Sequence, residues 1–153
     1  MIRLTRLADY AVVLMSHLAA RPDDVHNAAD VSAGTAIPMP TVSKILGLMG
    51  RAKLLRSHRG QGGGFSLARA PSEITVADIV RVVDGPVALT ECIEDGPGLC
   101  ELEAACRVRG YWQKINEAVK RALADVTLAD LACPALTFPL TGTQMPRPQG
   151  RIN

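Results

Sequence analysis

Aromatic residues are scarce: only 3% of the 153 residues are Phe, Trp or Tyr, so any core this chain builds is aliphatic. No apolar run reaches the roughly 18–20 residues that a membrane span requires. The start, Met1-Ile2-Arg3-Leu4-Thr5-Arg6, is basic. Asp9 and Arg21 bracket the apolar run behind it, however, and a helical pattern continues through it, so no signal peptide is expected. These absences predict a cytoplasmic protein with no membrane partner. None of the three histidines, His17, His26 and His58, has an evident nucleophile or carboxylate partner within the cysteine segment, so no catalytic dyad is legible and an enzyme is not expected.

The most informative absence is one of charge. From Val31 to Ser72 there is no Asp or Glu, yet the stretch carries Lys44, Arg51, Lys53, Arg56, Arg59 and Arg69, with His58 among them. The whole chain has a net charge of only +2, from 17 Lys+Arg against 15 Asp+Glu. Six positive charges packed into one acid-free segment are the electrostatic footprint of duplex DNA binding. The plain alternative is a solvated basic face.

What is present suffices for one domain with a real core: 48% of residues are hydrophobic and 21% charged. Residues 5–20 read as an amphipathic helix, with Thr5 as N-cap and Leu7, Ala11, Leu14 and Leu18 on one face. A short Ala-rich helix follows over 27–35. Pro40 then suits the first turn of another helix, whose apolar face is Val42, Ile45, Leu46 and Met49. Two helices joined by a tight Pro-containing turn make a helix-turn-helix candidate. Leu54 to Arg59 reads as a strand, Gly60-Gln61-Gly62-Gly63-Gly64 as a turn, and Phe65-Ser66-Leu67 as a returning strand. That order is the order of a winged helix. The glycine loop lacks the GK[ST] of a nucleotide-binding P-loop, and it opens a strand rather than a helix.

The DNA-facing roles divide physically. Pro40, Thr41, Ser43 and Lys44 sit at the start of the recognition helix, within reach of base edges. Arg56, His58 and Arg59 lead into the wing. Gly60, Gln61 and Gly62 let its tip approach phosphate or minor groove closely.

Thr75 caps a further helix, stopped by Asp84-Gly85-Pro86. Residues 108–126 read as a long helix. In it Val108, Trp112, Ile115, Val119, Ala122 and Val126 recur at alternating spacings of four and three, an a/d seam suited to a partner helix. Packing against the same subunit would leave the same pattern. Thr127 caps a last short helix through Leu131. The expected divisions are 1–86 (winged helix-turn-helix), 87–107 (cysteine loop), 108–132 (dimerisation helix and closing helix) and 133–153 (disordered tail). The fold class is mainly α with a small β-ribbon wing.

Cys92, Cys100 and Cys106 form C-x7-C-x5-C around a Gly96-Pro97-Gly98 turn. Three thiolates are soft donors suited to zinc, copper(I) or iron–sulfur clusters. Inert thiols, an opportunistic disulfide and a redox switch stay open, and Cys133 reads as a spectator. No histidine lies in this segment to complete a site.

Together these residues resemble the IscR/NsrR-type winged-helix regulators that bind an iron–sulfur cluster. The resemblance covers roughly residues 1–132. It rests on Arg3-Leu4-Thr5 with Asp9-Tyr10-Ala11, the Pro40–Leu55 region, Arg59 to Phe65, Val83-Asp84-Gly85-Pro86, and three cysteines ahead of a long helix. Within that family the chain looks most like the subgroup regulating the SUF cluster-assembly operon. The resemblance implies a homodimer on a roughly palindromic operator, with Arg3 and Thr5 also at the DNA. It further implies a [2Fe-2S] or [4Fe-4S] cluster on Cys92, Cys100 and Cys106. IscR-like members take a fourth ligand from a histidine three residues after the last cysteine, where this chain has Arg109. NsrR-like members use an aspartate on the partner's first helix, and Asp9 matches it. The first cysteine gap, seven residues here, is five in familiar members.

Overall fold

Thr5 opens the first helix, α1 (Arg6–Ala19), as its N-cap: its hydroxyl oxygen accepts from the Ala8 N–H at 3.1 Å. The structure, a computed structural model, describes residues 3–60, 62–90, 93, 100 and 106–132. Along α1 the fully buried residues are Ala8, Ala11, Leu14, Met15 and Leu18, the stripe expected of one helical face turned to a core. Asn27 caps α2 (Ala28–Thr35) by accepting from the Asp30 N–H. Pro40 lies in the first turn of α3 (Met39–Arg51), where its missing N–H costs nothing. Val42, Ile45, Leu46 and Met49 of α3 are all fully buried, as their spacing predicts.

Helix α3 ends in a Schellman motif. Leu54 N–H donates to the Met49 carbonyl and Lys53 N–H to the Gly50 carbonyl, at 3.0 and 3.1 Å. The position that favours glycine is held by Lys53, at φ +60°. A charged, exposed residue is thus kept in a costly backbone conformation within the basic segment.

The two strands are β1 (Leu55–His58) and β2 (Gly64–Leu67), antiparallel, with Leu55 opposite Leu67 and His58 opposite Gly64. A 3₁₀ turn at Pro71–Glu73, without a counterpart in the sequence reading, leads to α4 (Val76–Asp84). Thr75 and Asp78 cap α4 reciprocally. The helix stops at Asp84, and Gly85 turns the chain at φ +87°. The long helix, α5, spans Arg109–Ala124, and α6 spans Leu128–Ala132.

The expected helix over 108–126 is therefore shorter at both ends. Val108 is its N-cap residue, and Val126 lies beyond it. Tertiary pairing ends the helix: the Val126 carbonyl accepts from the Val76 N–H at 2.9 Å, and Thr127 bridges Thr75 antiparallel. Thr127 then caps α6 through Asp130. One apolar cluster joins α1, α2, α3, β1 and α4, and Leu128 of α6 is fully buried in it. The predicted tail, with Cys133, lies outside the described residues.

The wing is fastened at its root. His26 and Phe65 exchange backbone hydrogen bonds, both 2.8 Å, so β2 is tied to the turn ahead of α2. His26 is buried, and its Nε2 donates to the Arg21 carbonyl at 3.0 Å. Its ring meets that of His17 edge-on, with centroids 6.3 Å apart. The His17 ring in turn covers Gly34, where a Cβ would lie 2.5 Å from it. Burial lowers the pKa of His17 from its ordinary 6.5, and the charges of His26 and Arg21 lower it further. The unfolded chain therefore takes up this proton at higher pH than the folded one. Stability is unaffected by it above the ordinary value and falls as pH drops below. His17→Gln should flatten the acid side of a melting-temperature profile below about pH 6.5; an unchanged slope would remove the assignment.

Candidate nucleic-acid interface and thiol site

The basic residues of the acid-free segment are exposed. On α3, Pro40, Ser43 and Lys44 are exposed and Thr41 is half-buried, all on the side away from the core. The helix begins at Pro38 without a side-chain cap and has no acid in its first turn. Its positive dipole end is thus uncompensated, which suits a phosphate. Arg51, Lys53, Arg56, His58 and Arg59 are exposed as well. Among the described residues the one ion pair drawn from this segment is Arg69 with Asp78, at 4.0 Å.

The ribbon holds its polar side chains in order. Arg56 reaches across to donate to the Ala68 carbonyl at 3.2 Å, and His58 Nε2 hydrogen-bonds Ser66 Oγ at 2.8 Å. At the tip, Gly60 and Gly62 adopt φ +103° and +86°, which L side chains rarely adopt. Gln61 lies outside the described residues. Arg3 is exposed just ahead of α1. Thr5 is engaged within the chain: its hydroxyl donates to one Asp84 oxygen at 2.6 Å and its N–H to the other at 3.2 Å. The first turn of α1 is therefore tied to the end of α4. Asp9 lies in that turn and is exposed.

Of the three clustered cysteines, Cys100 and Cys106 are half-buried free thiols, and Cys92 lies outside the described residues. Among the described residues no three His, Cys, Asp or Glu side chains converge as a metal site, so Asp9, Cys100 and Cys106 do not meet within one chain. The proposed seam on α5 is largely open. Val108, Trp112, Ile115 and Ala122 are exposed, as is Tyr111 beside them, while Val119 is half-buried. Sequence reasoning passed over Asn116, the one fully buried residue of α5. Its Nδ2 donates to the Val87 carbonyl at 2.9 Å, and its Oδ1 accepts from the Leu89 N–H at 3.1 Å. The chain leading into the cysteines is thereby clamped to α5. The only local signal was an Asn set between apolar positions of the helix.

A helix-turn-helix, a glycine-tipped ribbon and an acid-free segment with exposed cations together describe a winged-helix DNA reader. A family model described as Rrf2, an iron-dependent transcriptional regulator, matches residues 4–134. The chain belongs to the Rrf2 family. A helix-turn-helix-type transcriptional regulator of Mycobacterium tuberculosis is 36% identical over 138 residues, 88% of this chain and 83% of that protein. The regulator NsrR of Geobacillus kaustophilus is 32% identical over 130 residues, 84% of this chain and 88% of that one. Among solved structures, CymR, the global cysteine regulator of Bacillus subtilis, superposes with a TM-score of 0.69 at 28% identity, covering 86% of this chain and 97% of CymR. These Rrf2 relatives are transcriptional regulators rather than enzymes. No helix of the described residues is long and apolar enough to cross a membrane.

Proposed function

We propose that this Rrf2 protein is a homodimeric regulator that reads a roughly palindromic operator and responds to the state of an iron–sulfur cluster. The observation that carries the cluster reading is the set of three thiols within 15 residues, two of them free and half-buried. This donor set fits the group: Cys92, Cys100 and Cys106 would hold it, with Asp9 of a second copy as fourth ligand. When bound, the cluster supplies a centre sensitive to iron supply, oxygen and nitric oxide. Iron–sulfur assembly genes are the expected targets.

The chain's own residues supply the rest. Arg3 ahead of α1, Thr41, Ser43 and Lys44 on α3, and Arg56, His58, Arg59 and the glycine tip of the wing face the duplex. The stripe of exposed Val108, Trp112, Ile115 and Ala122 with half-buried Val119 is suited to a second copy, which would set two recognition helices about 34 Å apart. Asn116 joins the cysteine segment to that helix, and the Thr5–Asp84 contact joins the turn bearing Asp9 to α4. A rearrangement at the cysteines is thus felt at both reading heads, and a few kcal/mol of differential affinity changes occupancy.

A cluster-free thiol-redox regulator is a second reading, favoured by the likeness to CymR and by the two free thiols. An anaerobic visible spectrum with iron and acid-labile sulfide assays separates the two. The cluster reading expects colour with matched iron and sulfide, lost in Cys92→Ser, Cys100→Ser and Cys106→Ser but kept in Cys133→Ser. Colourless protein after anaerobic reconstitution would reject it in favour of a thiol-redox or zinc-containing regulator, which a zinc assay separates.

A further inference from the structure

Helices α4 and α5 do not close completely on one another. Between them lies a cavity of about 470 Å³, within the range of small-molecule sites. Ala77 of α4 and Ala124 of α5 leave the room, and Pro86 and Val87 supply an apolar wall. The remaining lining is cationic: Arg81, Lys120 and Arg121. Lys120 is paired with Glu117 at 3.1 Å. Arg121 spends its Nε–H on the Glu117 carbonyl at 3.3 Å, which leaves its outer nitrogens free. Among the described residues no carboxylate pairs with Arg81 or Arg121. These cations lie outside the acid-free segment that carries the recognition helix and wing.

Two unpaired guanidinium groups facing one cleft with an apolar wall are a recognisable donor set. Each presents a planar fork that matches a carboxylate or phosphate. We propose that the cleft between α4 and α5 binds a small organic dianion with a short apolar body, its two charges held by Arg81 and Arg121. Val87 is both a wall of the cleft and the residue whose carbonyl Asn116 holds. An occupant would therefore brace the path between the DNA-reading unit, the cysteine segment and α5. Binding itself requires neither the cluster nor DNA.

The test is calorimetric titration of the full chain with succinate and with phenyl phosphate, at an ionic strength held constant with KCl, and with sulfate for comparison. The expected result is saturable binding of at least one organic probe, tighter than that of sulfate. Arg81→Gln and Arg121→Gln should each weaken it about tenfold or more, the loss of one charge-assisted contact. Ala77→Leu, which fills the cleft and leaves the charges in place, should also weaken it, whereas Arg56→Gln on the wing should not. Succinate and phenyl phosphate responses separate a carboxylate from a phosphate occupant. No saturable binding, an equal response to sulfate (an adventitious ion only), or a response unchanged by Ala77→Leu would overturn the proposal. Melting curves confirm that each variant is folded. Low-salt DNA binding on the same samples reports separately on the regulator reading.

Discussion

Raising the salt concentration from about 50 to about 200 mM should weaken operator binding by roughly a thousandfold or more. The reason is the arrangement of charge rather than its total. A protein of net charge +2 would have little long-range attraction for DNA if its charges were mixed. Here Lys44, Arg51, Lys53, Arg56 and Arg59 are exposed on α3, the turn after it and the wing. None of them is paired with a carboxylate among the described residues, so each can neutralise a phosphate and release its counterion. Two copies of this surface make six or more contacts a modest estimate, and the logarithmic salt slope scales with their number. Lys44→Gln should lower that slope by about two, one contact per copy. Filter-binding or anisotropy titrations at four salt concentrations measure it. A slope near zero would mean that this surface is not where DNA binds.

Gly64→Ala should detach the wing. A Cβ at Gly64 would lie 2.4 Å from the His26 carbonyl oxygen and 2.7 Å from its carbon. Both are backbone atoms and cannot swing aside as a flexible side chain would. Either β2 moves away or the two His26–Phe65 hydrogen bonds break. Losing both bonds and straining a packed contact costs about 2–4 kcal/mol, a fall in Tm near 10 °C for a chain of this size. Phe65, half-buried against the core, would be loosened with them. Gly62→Ala is the control: its Cβ would meet nothing, so only the strain of φ +86°, about 1 kcal/mol, is expected. A Gly64→Ala protein that melts with the wild type would show that the wing is not anchored at His26.

Much of the fold was legible because its signals are local. A 3.6-residue apolar stripe marked α1 and α3, hydroxyl caps marked the starts of α1, α4 and α6, and alternation around a glycine run marked the wing. Each of these depends on residues a few positions apart, where backbone geometry and side-chain spacing are read directly. The basic surface was legible for a related reason: an acid-free stretch stays acid-free however it folds. The cysteine cluster was visible as spacing, although the structure describes only Cys100 and Cys106 of it.

The features that couple these parts were not legible. Thr5 meets Asp84 across 79 positions, and Asn116 reaches Val87 and Leu89 across 29 and 27. Val126 was placed on the α5 seam because its spacing continues the heptad. Its carbonyl instead bonds the start of α4, and the helix ends before it. The short closing helix after Thr127 was legible, but that Leu128 of it is buried in the core with α1 was not. Sequence alone determined which helices and strands form and where positive charge gathers, since both follow from near neighbours. Only the tertiary structure decided what fastens the wing, what joins the cysteine segment to α5 and where a cationic cleft opens, because each needs residues that chain folding alone brings together.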